Sequence, residues 1–134
     1  MRTKYFVLIA GLALLVASRS VVAHHSFSAE FDAQKPFKMT GTVTKVEWMN
    51  PHTFFYIDVT DEATKKVNNW AMEMGSPNGL MRAGWTRNTM KVGDVVTVEG
   101  SLAKDGSHTG NARSVTMAST GQRLFAASSQ GNTQ

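Results

Sequence analysis

Val67-Asn68-Asn69-Trp70-Ala71-Met72-Glu73-Met74-Gly75-Ser76-Pro77-Asn78-Gly79-Leu80-Met81-Arg82-Ala83-Gly84 is the stretch on which the fold turns. From Val67 to Met74 the residues alternate, which places Trp70, Met72 and Met74 on one face of a strand. Ser76 then supplies an N-cap oxygen and Pro77 a first-turn proline, so residues 78–83 wind one or two helical turns before Gly84 stops them. Upstream, Asp61 to Lys66 is a polar turn, Thr53 to Val59 is a strand, and Lys38 to Trp48 is another, rich in Thr and Val. Downstream, Lys91 to Asp94 turns the chain into Val95–Gly100, and Lys104 to Ser107 turns it into Ala112–Met117. Three strands, a helix and two strands is the order of the OB-fold, so the expectation is an all-β, five-stranded OB-fold-like barrel with one short helix between strands three and four. A β-sandwich fragment and an SH3-like barrel are the competing architectures; the helix decides against them. The domain spans 24–125, and residues 126–134, small and polar, form a flexible tail.

The 134 residues, 42% hydrophobic and 18% charged, suit one small folded domain. Residues 1–23 read as a cleavable export signal. Arg2 and Lys4 precede an apolar run from Tyr5 to Ala17, too short to span a hydrocarbon core of about 30 Å comfortably. Ser18-Arg19-Ser20 then leads to Val21-Val22-Ala23, whose small residues suit signal peptidase, so cleavage is expected between Ala23 and His24. An uncleaved anchor and cleavage after Ala17 are the alternatives. The processed chain would be periplasmic or secreted, with no stable membrane span. Of the formal charge of +4, Arg2, Lys4 and Arg19 belong to the signal, which leaves 11 basic against 10 acidic residues. That near-neutral remainder lacks the field that phosphate binding requires, so no nucleic-acid partner is expected. The absence of cysteine excludes thiolate chemistry and Cys-based zinc sites, and leaves stability to core burial alone.

The chemistry-bearing residues are few. Cleavage after Ala23 makes His24 the first residue, whose α-amine and ring nitrogen can chelate one ion as a histidine brace, with His25 as a further donor. An α-amine of pKa about 7.7–8.0 costs only about 1 kcal/mol to deprotonate at neutral pH. Clustered nitrogen donors favour Cu(II) among the divalent first-row ions, which makes copper the expected cofactor. Ser26 in third place excludes the copper motif that needs histidine there. His52, in Asn50-Pro51-His52, lies on a loop that forms a ligand-binding edge in OB-folds, and is the third candidate metal ligand. The plainer reading makes His24 and His25 a solvent-facing pair and His52 a turn residue bonded to backbone. His108 reads as an exposed hairpin residue outside any site. The seven methionines after Met1, including Met72 and Met74, read as core filler rather than thioether ligands. Trp48, Trp70, Trp85, Phe54, Phe55 and Tyr56 read as core rather than as a groove. Glu73 and Asp58 sit among apolar neighbours, but no nucleophile or fixed second carboxylate makes a hydrolase of them, and no catalytic residue is assigned.

His24-His25-Ser26-Phe27, Glu30-Phe31-Asp32, Gly41 to Trp48 and Asn50-Pro51-His52, continued by Trp70, Gly75-Ser76-Pro77-Asn78, Gly84-Trp85-Thr86-Arg87, Gly93-Asp94 and Asn111 to Ser114, resemble an exported bacterial family known only as a domain of unknown function. The resemblance runs through nearly the whole chain after the signal. It implies a small periplasmic or secreted β-rich protein with a double histidine near its start and an Asn-Pro-His turn, and brings no activity with it. Members of that family look to have proline after Gly-Ser where this chain has His108. Two functions from different classes fit: a periplasmic copper-binding protein using His24, His25 and His52, or a metal-free interaction module whose groove or strand edge binds a protein or peptide of the cell envelope.

Overall fold

The computed structural model describes residues 27–127. The expected signal segment, His24, His25 and the end of the tail from residue 128 lie outside the described residues. The elements run α1 (Phe27–Glu30), β1 (Phe31–Glu47), β2 (Phe54–Thr60), β3 (Val67–Glu73), α2 (Pro77–Arg82), β4 (Val95–Ala103), β5 (Thr109–Met117) and β6 (Arg123–Phe125). The all-β class holds, and a short helix separates the third strand from the fourth.

One sheet of order β3-β2-β1-β4-β5-β6 closes on itself because β3 also pairs with β5. The pairings are antiparallel except this closing one, which runs parallel over Ala71–Thr109, Met72–Gly110 and Glu73–Asn111. Strand β1 serves two neighbours: its first part, Phe31 to Thr42, lies against β4, and its last part, Thr42 to Glu47, against β2. A register shift between Val43 and Lys45 accompanies the handover, as expected where a strand bends to close a ring.

Five features differ from the sequence reading. Strand β1 begins at Phe31 rather than Lys38, because Phe31 and Asp32 pair with Ala103 and Leu102 before residues 33–35 loop out and Pro36 resumes opposite Ser101. The Asp32 carboxylate accepts the Gln34 N–H at 2.9 Å within that bulge, so the segment carries no alternation to read. Strands β4 and β5 are each three residues longer at the ends that pair with one another. A sixth strand, β6, extends the five-stranded ring beside β5, and a single helical turn, α1, precedes β1. Finally, Ala126, placed by sequence in the tail, is fully buried: its N–H donates to the Arg113 carbonyl and its carbonyl accepts from Gly75.

The ring is filled by inward-facing side chains of every major strand, including Val43, Phe55, Ile57, Met72, Val96, Val98 and Val115. Met72 and Met74 are buried in the core and Trp70, partly buried, packs against that cluster, so the face read from 70-72-74 is the core face. Helix α2 adds Leu80, and Trp85 follows it into the core. Its ends follow local rules. The Ser76 hydroxyl accepts the Gly79 N–H at 3.2 Å. At the other end Gly84, at φ 97°, lets its own N–H reach the Met81 carbonyl and the Trp85 N–H reach the Leu80 carbonyl, the paired bonds of a Schellman motif. Leu80 and Trp85, joined by the second bond, both enter the core.

Thr53 precedes β2, is fully buried, and its hydroxyl has no hydrogen-bond partner among the described residues. A buried hydroxyl left unpaired costs about 1–3 kcal/mol. Thr53→Val keeps the shape and removes that polar group. The expected result is a chain more stable by about 1 kcal/mol in chemical denaturation. A loss of stability would mean that the hydroxyl is paired in solution.

Candidate functional site

His52 stands on the loop between β1 and β2, after a cis Asn50–Pro51 peptide. Its neighbours Thr53 and Met74 tie the loop to the end of β3: Thr53 N–H donates to the Gly75 carbonyl and Met74 N–H to the Thr53 carbonyl. His52 thereby meets β3 directly. Its Nδ1–H donates to the Met74 carbonyl at 3.1 Å, and the same nitrogen lies 3.5 Å from a carboxylate oxygen of Glu73. A carbonyl only accepts, so the proton of the neutral ring sits on Nδ1 and the lone pair on Nε2. The side chain is 34% exposed, against 12% for Glu73.

Glu73 links the loop to the closing seam of the ring. It pairs with Phe54 of β2 on one side and Asn111 of β5 on the other. Phe54 and Glu73 line an open hollow of about 560 Å³, bounded also by Glu30 of α1, by Lys104, Asp105 and Ser107 of the β4–β5 turn, and by Thr109. Hydrogen bonds from the Ser107 side chain and backbone hold the Asp105 carboxyl below its ordinary value, so it is ionised at neutral pH. Lys104 fastens α1 to this rim. Its ammonium donates to the Ser28 carbonyl at 2.6 Å, and its N–H donates to the Glu30 carbonyl at 2.9 Å. Three carboxylates and one ammonium give the lining a negative balance.

The other candidates fall as follows. His108 is exposed and stacks on Trp70, ring centroids 4.7 Å apart. Trp85 and Phe55 are core, while Phe54, expected inside, borders the hollow. Tyr56 is half-buried and donates to Glu47, which also pairs with Lys45. Among the described residues no group of three His, Asp or Glu side chains comes together to hold a metal ion. Of the three expected ligands only His52 lies among the described residues. Glu73, Asp105 and Asn111 were not singled out as a group, since only the pairing of β3 with β5 makes them neighbours. No helix among the described residues is long and apolar enough to cross a membrane.

A closed ring of strands, with an open hollow against its second and third strands and the turn between the fourth and fifth, defines a small all-β, OB-like domain. The chain belongs to the family of unknown function (DUF6152), whose model matches residues 12–113. No curated protein and no solved structure matches the chain.

Proposed function

We propose that this protein is an exported metal-binding domain that takes up Cu(II) once residues 1–23 are removed. His24 supplies its α-amine and imidazole as a chelate, and His25 and His52 supply the remaining nitrogens. The observation that carries the reading is the hydrogen bond from His52 Nδ1–H to the Met74 carbonyl. Metal-ligating histidines characteristically donate their other ring N–H to a carbonyl or carboxylate, which fixes the tautomer and raises the basicity of the ligating nitrogen. His52 has such a carbonyl at 3.1 Å and the Glu73 carboxylate at 3.5 Å, and it retains an exposed edge. Residue 27, where the described chain begins, lies in the helix that borders the hollow together with Glu73.

Calorimetric titration with Cu(II) tests the reading. Protein beginning at His24 should bind more than about tenfold more tightly, 1.4 kcal/mol, than the same protein with one glycine ahead of His24, because the extension turns the amine into an amide. His52→Ala should weaken binding by at least about tenfold. Equal affinity of the native and extended forms would sink the metal role. A metal-free module that binds an envelope protein or peptide would then stand in its place, with the hollow as its contact surface.

A further inference from the structure

We propose that Asn78 is the chain's site of deamidation, and that the hydrogen bond from the Gly79 N–H to the Ser76 hydroxyl sets how fast it reacts. The inference is independent of any metal.

The residue pair comes first. Asn78 is followed by glycine, and none of the other six asparagines is. Deamidation begins when the backbone nitrogen of the next residue attacks the side-chain amide carbon, so a following residue without a side chain leaves that carbon open to approach. A bond forms between Gly79 N and Asn78 Cγ. The Cγ–Nδ2 bond breaks, and the proton lost from Gly79 N departs with Nδ2 as ammonia. Water then opens the cyclic imide at one carbonyl or the other, which leaves aspartate or isoaspartate at position 78. Asn50 cannot take this route, because Pro51 has no N–H. Asn111 is buried in β5, and Asn68, Asn69 and Asn88 all precede residues with side chains.

The local structure supplies the brake. Asn78 is exposed in the first turn of α2, while Pro77 before it and Leu80 beyond Gly79 are buried. Water therefore reaches the amide, but the backbone beneath it is anchored. The Gly79 N–H, whose proton must leave, donates to Ser76 Oγ at 3.2 Å. The Leu80 N–H donates to the Ser76 carbonyl at 2.9 Å and closes the same turn. Helical dihedrals fix the Asn78–Gly79 peptide, and ring closure requires it to rotate out of them. Reaction thus waits on the opening of one turn, not of the whole domain. A Cβ on Gly79 would stand 3.3 Å from the Ser76 hydroxyl oxygen, closer than ordinary contact. The glycine that makes the pair reactive also makes room for the cap that restrains it.

Asp105-Gly106 is the other pair open to such an attack. Hydrogen bonds from the Ser107 side chain and backbone hold the Asp105 carboxyl below its ordinary value, so at neutral pH it is a carboxylate, which resists a nitrogen nucleophile. Rearrangement there also leaves the mass unchanged and does not obscure the reaction at Asn78.

Peptide mapping by mass spectrometry, after timed incubation of the purified protein at neutral pH, provides the test. Asn78 should convert before any other asparagine, and more slowly in the folded protein than in the urea-unfolded chain. Ser76→Ala should speed the folded-state reaction about fivefold, the effect of losing one cap, and leave the unfolded-state rate unchanged. Ser76→Thr keeps a hydroxyl and should stay near the parent rate. Gly79→Ala should slow the reaction in both states. Trp85→Phe weakens the core without touching the cap and should leave the folded-state rate as it was. Earlier conversion of another asparagine in the folded protein would overturn the site. Equal rates in folded and unfolded chains would overturn the role of the cap, as would acceleration by Trp85→Phe to match that of Ser76→Ala.

Discussion

Trp85→Ala is expected to lower the unfolding free energy by about 3–5 kcal/mol, the range for removing a buried aromatic side chain from a core. Trp85 is 2% exposed and packs in the main cluster with Leu80 and Met74. Its indole N–H also donates to the Phe125 carbonyl at 2.9 Å, joining the end of α2 to β6. The substitution therefore opens a cavity and orphans a carbonyl where helix, ring and sixth strand meet. A domain of this size has about 5–15 kcal/mol in total, and with no cysteine there is no cross-link to limit the loss. Thermal unfolding should move down by more than about 10 °C. Trp85→Phe keeps most of the buried ring and loses the N–H, so it should cost less. Equal destabilisation by the two variants would show that the hydrogen bond, not the packing, is what Trp85 contributes.

Gly100→Ala should be nearly as damaging, although it adds only one methyl group. A Cβ on Gly100 would stand 1.9 Å from the Asn111 carbonyl oxygen and 2.9 Å from its carbon. Both are backbone atoms of β5, so no side-chain rotation relieves the overlap. Overpacking costs about 1–3 kcal/mol where neighbours can shift and more where they cannot, and about 3 kcal/mol or more is expected here. The damage should also be local. Gly100 sits at the register shift between β4 and β5, and Asn111 is the residue that faces Glu73 across the closing seam. Forcing β4 and β5 apart should loosen that seam first. Hydrogen exchange should show the Ala71 N–H, which bonds to the His108 carbonyl beside the seam, losing protection before the Val43 N–H bonded to Asp94. Unchanged stability would mean that the bulge has room to open, and that the close approach of these strands is not required by the fold.

Local signals were the legible part of the fold. The alternation of Trp70, Met72 and Met74 marked the core face, and Ser76, Pro77 and Gly84 marked both ends of α2, because each acts through neighbours a few residues away. The first half of β1 was not legible, since residues 33–35 leave the ladder and break the period. Neither was β6, a three-residue strand held by its partner β5 rather than by any propensity of its own. The site shows the same division. His52 was visible as a histidine on a loop; its Met74 carbonyl and Glu73 carboxylate lie at the end of β3, 22 and 21 positions further along the chain.

From its residues alone, this chain settles its all-β class, the place of its helix and the scarcity of groups able to do chemistry. Such properties depend on side-chain period, capping and composition, which are short-range. Tertiary structure decided which strands close the ring, and therefore that Glu73, which His52 approaches, borders one hollow with the turn around Asp105. That closure joins segments about 38 residues apart through only three paired positions, Ala71, Met72 and Glu73 with Thr109, Gly110 and Asn111. Its stability comes from the core that the whole ring encloses, and no local pattern encodes a contact whose free energy is shared among all the strands.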